Sequence, residues 1–185
     1  MTQPWYPNPN PGGQTRRLVR TTIANWIDAQ RIQGLDHVYR SKPVEWQFDQ
    51  YPHTGLGFAA LVGVRLPTDS EDRAAYTGAT DPGGKMYHAP AELHVVHWTL
   101  EQDLAQDDDA SEDDYDRIID ALKDCLRGTG RDLGRPDVVL GAGEYPREGG
   151  ITSTHDEPVN DNGSVLRSGV IAFDVTLYMT AYPGS

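Results

Sequence analysis

The chain has 185 residues, 37% of them hydrophobic, with 19 glycines, 13 prolines and a formal net charge of −12. That length suits one domain with a real core, and the low apolar share suggests a modest core carrying long loops or arms. The acidic balance argues against a nucleic-acid groove as the main surface, and the lone cysteine, Cys125, excludes an internal disulfide and thiolate zinc sites within one chain.

No apolar run approaches the ~20 residues that a membrane helix needs. Met1-Thr2-Gln3-Pro4-Trp5 has neither a basic nor an apolar stretch, so no secretory signal is expected. Residues 1–14 carry four prolines and read as an extended, polyproline-like arm, with Trp5 and Tyr6 available to dock on a neighbouring subunit. Residues 15–185 read as a single domain.

Arg16 to Gln33 has helical spacing, with Leu18, Val19, Thr22, Ile23, Trp26 and Ile27 in one stripe. Thr15 can cap its start, and Gly34 can end it in the left-handed conformation with Leu35 folding back. Arg16, Arg17 and Arg20 lie at the positive end of the helix dipole, where local propensity does not place them.

His37 to Arg40 predicts a short strand, interrupted by Pro43 as at a sheet edge. Trp46 and Phe48 alternate in a further extended piece, and Gly57 to Leu66 is a stronger strand. Thr68 to Gly84 is polar and reads as an exposed loop, and Met86 to His88 starts another extended segment before Pro90.

Glu92 to Arg127 reads as strand, acidic loop and helix. Leu93 to Leu100 is β-branched and aromatic, and six carboxylates follow between Asp107 and Asp114. Tyr115, Ile118, Ile119, Leu122 and Leu126 then recur on one helical face, with Ser111 as a candidate N-cap and Gly128 as a candidate C-cap. Val138 to Leu140 is a short strand, and Gly141 to Asn162 is a long loop ending in the turn signal Asn162-Gly163. Val165 to Ala181 alternates, with Ile171, Phe173, Val175, Leu177 and Met179 on one face. The whole predicts an α+β fold: one largely antiparallel sheet packed with two helices.

No residue set is expected to form a catalytic, cofactor-binding or metal site. The acidic run fails the EF-hand pattern, since a count from Asp107 puts Glu112 at position six and Ile118 at twelve. His94 and His97 are three apart on a strand and point to opposite faces, although distant partners such as His88 or His155 could be added. Gly141-Ala142-Gly143-Glu144 lacks the lysine and following helix of a phosphate loop, and Cys125 lacks a charged partner that would activate its thiol.

Three stretches together resemble the tail terminator proteins of long-tailed bacteriophages. They are the helix Leu18–Ile27 leaving through Gly34-Leu35 into Val38-Tyr39, the strand Val95–Leu100 followed by the helix Tyr115–Lys123, and the closing strand Val170–Leu177. The resemblance covers about Leu18 to Tyr178 and is one of element order and texture. It implies a structural virion protein, made in the host cytoplasm, that forms a ring, typically of six, on the end of the tail tube. Its partners would be further copies of itself, the tail tube protein, a head-completion protein and the genomic DNA passing through its lumen. Alternatives are another head–tail connector, a metal-dependent hydrolase using His94, His97, His155 and the acidic loop, or a binding module using its aromatic arm.

Overall fold

The computed structural model of the chain describes residues 11–46, 58–74, 84–100, 108–127, 133, 138–140, 150–161 and 164–180. Two strands of 17 residues, β4 (Gly84–Leu100) and β8 (Ser164–Thr180), pair antiparallel along their full length, from Gly84↔Thr180 to Leu100↔Ser164. On the far edge of β4 lie β2 (Phe58–Arg65) and β3 (Ser70–Ala74), one after the other and both antiparallel. On the far edge of β8 lie β5 (Val138–Leu140), β6 (Thr152–His155) and β7 (Val159–Asp161). β1 (Leu35–Tyr39) closes the β2 side as the one parallel neighbour. The α+β architecture expected from the sequence is the one observed, with β1 at the sheet edge.

One face of the sheet is apolar because of strict alternation. Tyr87, Ala89, Ala91, Leu93 and Val95 of β4 share it with Ile171, Phe173, Val175 and Leu177 of β8 and with Ala60, Val62 and Val64 of β2. Helix α1 (Pro11–Ala29) and helix α2 (Asp108–Arg127) cover that face. α1 contributes Val19, Ile23 and Ile27, and α2 contributes Tyr115, Ile118, Ile119, Leu122 and Leu126, the stripe that the sequence spacing gives.

Several boundaries differ from the sequence reading. α1 begins at Pro11, so the last four residues of the expected arm are helical, and Thr15 is a buried residue inside the helix and not its cap. Proline at the first helical position loses no bond, which is why the helix can extend back to it. Residues 1–10, with Trp5 and Tyr6, lie outside the described residues. The helix stops at Ala29 and not Gln33: Gln30 N–H bonds Ile27 O, Arg31 N–H bonds Asp28 O, and Arg31 takes a left-handed φ of 52°. Gly34 follows at φ 82°, the conformation expected of it.

The expected break at Pro90 does not occur, because β4 runs straight through it. A proline is tolerated in a central strand where its edge is open. The interruption between β2 and β3 leaves Ala89–Ala91 without a strand on that side among the described residues. The predicted 68–84 loop contains β3, and the predicted 141–162 loop contains β6 and β7; each is too polar to show strand alternation. Trp46 lies outside any strand, its ring 5.9 Å from Tyr39, and Phe48 and Gly128 lie outside the described residues.

Truncating Ile118, fully buried on the inner face of α2, is expected to cost about 2–5 kcal/mol as Ile118→Ala. Asp120→Ala on the exposed face of the same helix should stay within about 0.5 kcal/mol. Urea denaturation of the two variants checks the orientation of α2 directly.

Candidate functional site

The chemically richest group of side chains lies where the first turns of α2 meet β4 and β8. β4 continues its inward face past Val95 with His97 and Thr99, and β8 places Arg167 opposite His97 on the same face. His97 and Thr99 are fully buried, and Arg167 is 6% exposed. From above, α2 lowers Ser111, also fully buried, and Asp114.

Hydrogen bonds join these groups in series. Arg167 can only donate, and its Nη1 is 2.7 Å from Ser111 Oγ. Ser111 Oγ also shares a hydrogen bond with Thr99 Oγ1, 2.8 Å away, in which either hydroxyl can donate. Thr99 Oγ1 in turn lies a long 3.5 Å from His97 Nδ1. His97 Nε2–H then donates to Asp114 Oδ2 at 3.2 Å. Asp114 also accepts from Arg117, whose Nη1 donates to Gln33 O at 2.8 Å, in the turn after α1. One relay of hydrogen bonds thus ties β8, β4, α2 and the α1–β1 turn together.

Burial pushes the Asp114 carboxyl up, but the hydrogen bonds and charges of His97 and Arg117 outweigh it, and the net shift is down. Beside it, the Tyr115 hydroxyl is pushed up to about 12 by burial and by the charges of Asp156 and Asp116. Tyr115 reaches His155 Nδ1 at 3.2 Å. This contact depends on Gly169: a Cβ there would lie 2.3 Å from Tyr115 Oη and 2.7 Å from Thr154 O. The adjoining bend between β6 and β7 is held by Ser168, whose hydroxyl donates to Asp156 Oδ2 at 2.6 Å.

Hydroxyl, imidazole and carboxylate in sequence are the components of an activated nucleophile. Here both hydroxyls and the imidazole have zero exposure, so no substrate carbonyl can approach them. What the arrangement does physically is fasten a helix to a sheet through fully matched polar groups. Sequence reasoning missed it. Ser111 looked like a helix cap, but α2 starts at Asp108 and Ser111 sits in its first turn, facing inward. For the same reason the expected acidic loop is helical from Asp108 onward, with Asp109, Glu112 and Asp113 exposed. The signal that could have found the network is Arg167, a charge at an inward position of an otherwise apolar alternation.

The other candidates separate. His94 projects from the opposite face of β4 and pairs with Glu92 at 2.9 Å, while His97 is inside and His155 lies across Tyr115. Among the described residues, no group of three or more His, Cys, Asp or Glu is placed to hold a metal ion. Cys125 is half-buried, and burial together with the Asp124 charge pushes its thiol up, away from reactivity. Residues 141–144 lie outside the described residues. A cleft of about 170 Å³ beside Asp69, His88, Pro90 and Asp174 is smaller than the ~300–1,000 Å³ usual for small-molecule sites. Compared with known proteins, the chain matches no protein-family model and no curated protein sequence.

Two outcomes are expected. Gly169→Ala should cost about 1–3 kcal/mol through the Tyr115 and Thr154 clashes, read by thermal unfolding. Asp114→Asn should cost about 1–3 kcal/mol at pH 7. Because the folded-state carboxyl lies below its ordinary 3.8, its contribution is whole above that value and is lost as pH falls through and below it. The gap between the parent protein and Asp114→Asn should therefore narrow toward pH 3 in urea titrations.

Proposed function

We propose that the chain is a structural virion protein of the tail terminator kind: a ring that caps the phage tail tube, stops its polymerisation and offers the surface on which the head is joined. The observation that carries this reading is the element order. A helix and a turn through Gly34 into an edge strand come first, then β2, β3 and a long strand, then a second helix, and after three short strands a long closing strand, with both helices on one face of the sheet. That is the order on which the resemblance rests.

Two further features support a role by shape. The hydroxyl, imidazole and carboxylate groups that chemistry would use are consumed in fastening α2. The net charge of −12 suits a channel that DNA passes without sticking, because no counterion release rewards contact with carboxylates. Rotationally closed, head-to-tail contacts would make the ring. The contact surface on this reading is the β1 edge together with the segments 68–84 and 141–162, and DNA, tail tube protein and a head-completion protein are its neighbours.

Electron microscopy of the purified protein with and without tail tubes tests the proposal. Rings seated on tube ends are expected, and tubes lengthened without limit in its presence would refute it. A different head–tail connector would instead be found away from the tube end.

A further inference from the structure

β1 and β6 lie at opposite ends of the described sheet and level with each other. Tyr39, Gly63, His94, Val170 and Thr154 form one row across β1, β2, β4, β8 and β6. The row is five strands wide, about 19 Å. Two residues along, His37, Leu61, Val96 and Ser168 form the next row on the same face, and at its end Asp156 N–H donates to Ser168 O at 2.9 Å. Asp156 therefore sits directly across the sheet from His37. It opens a bulge: the register with β8 slips by one residue between His155↔Gly169 and Val159↔Leu166, over Asp156-Glu157-Pro158.

The two ends carry opposite charge. Residues 11–46, which contain α1 and β1, hold six Arg and Lys against three Asp and Glu, a net +3, so the rest of a chain of net −12 carries −15. Arg31 precedes β1, and Arg40 and Lys42 follow it; all three are exposed and form no ion pair among the described residues. Asp36, the acid within β1, is occupied, accepting Ala60 N–H at 2.8 Å. At the other end Asp156 and Glu157 are exposed, and residues 150–161 include no Arg or Lys. Asp116 of α2 adds to that end, since its charge and that of Asp156 both act on the Tyr115 hydroxyl. A bulge with two acids and a proline blunts a strand against indiscriminate pairing. A partner for it has to bring cations.

We propose that the Asp156–Glu157 bulge of one copy docks at the β1 end of the next, between Arg31 on one side and Arg40 and Lys42 on the other, and that this ion-paired contact repeats head to tail. It presupposes the ring proposed above, and its residues are the ones that would close that ring. A heterologous contact needs two different, matching surfaces at separate places on one chain. Here they stand at opposite ends of one row, and the acids lie level with the stretch of β1 that the cations flank. Charges of this kind select and orient a partner more than they add affinity, and salt weakens them.

Two full-chain variants test the contact, in sedimentation velocity and in electron microscopy with tail tubes. One reverses the basic end, Arg40→Glu with Lys42→Glu. The other reverses the acidic end, Glu157→Lys with Asp156→Asn, which keeps an acceptor for Ser168. Each variant alone is expected to associate about tenfold more weakly than the parent protein. An equimolar mixture of the two should recover most of that loss, because each altered end then meets an end of opposite charge. Parent-like association of either variant would overturn the contact, as would loss in both without recovery in the mixture. A parent protein that stays monomeric alone and with tail tubes would sink the ring and the contact together, whereas rings that form unchanged in both variants would sink the contact only. Loss of duplex DNA binding in Arg40→Glu with Lys42→Glu, with self-association intact, would assign the basic end to a polyanion and overturn the proposal.

Discussion

Everything in this molecule hangs on the antiparallel pairing of β4 with β8. Seventeen consecutive residue pairs run without a bulge, and every other strand but β1 pairs directly onto one of these two. Because the register never slips, inward residues stay inward from Tyr87 to Thr99 and from Val165 to Leu177. A single one-residue shift would put Arg167 outside and Leu166 inside, and the helices would lose both their apolar seat and their polar anchor. Both helices lie on one face for this reason.

The seat and the anchor do different things. Apolar area favours α2 lying somewhere on the sheet, but it is a non-directional force and leaves sliding and rotation cheap. The Arg167–Ser111–Thr99–His97–Asp114 relay is directional: its bonds hold Ser111 and Asp114 of α2 against Thr99, His97 and Arg167 of the sheet, and a helix displaced by one turn would strand several of these groups in a dry interior. Arg117 extends the same constraint to Gln33, and thereby fixes where α1 ends relative to α2. Polar burial here serves position more than net stability, since matched polar groups contribute only modestly against solvent.

The fold was legible in the sequence wherever alternation or helical spacing was strong. The stripes of α1 and α2, the edge position of β1, the strand Phe58–Arg65 and the closing strand could all be read from apolar periodicity. Three things could not. β3, β6 and β7 are built of residues such as Ser70, Glu71, Asp72, Thr152 and Thr154, whose strand state comes from the ladder they join and not from any preference of their own. Continuity through Pro90 depends on a gap in a neighbouring strand, which no local pattern encodes. The bonds of the polar relay join residues up to 84 positions apart, and its members have ordinary local explanations: Ser111 as a cap, Asp114 as a first-turn acid, His97 as one of six histidines.

The distribution of charge bears on the proposed role more than the total does. Several cations have partners within the molecule: at the surface Arg16 pairs with Asp69, Arg117 with Asp114 and Arg65 with Glu92, and in the interior Arg167 bonds Ser111. The exposed side of α2 keeps Asp109, Glu112, Asp113, Asp116, Asp120 and Asp124, of which Asp120 and Asp124 have weak i,i+3 partners in Lys123 and Arg127. A helix face of this kind projects a negative field over about 8 Å at physiological salt. A polyanion moving past it is repelled at short range and ignored at long range. On the proposed reading that is the useful property of this helix face: outward carboxylates that give a passing polyanion nothing to hold.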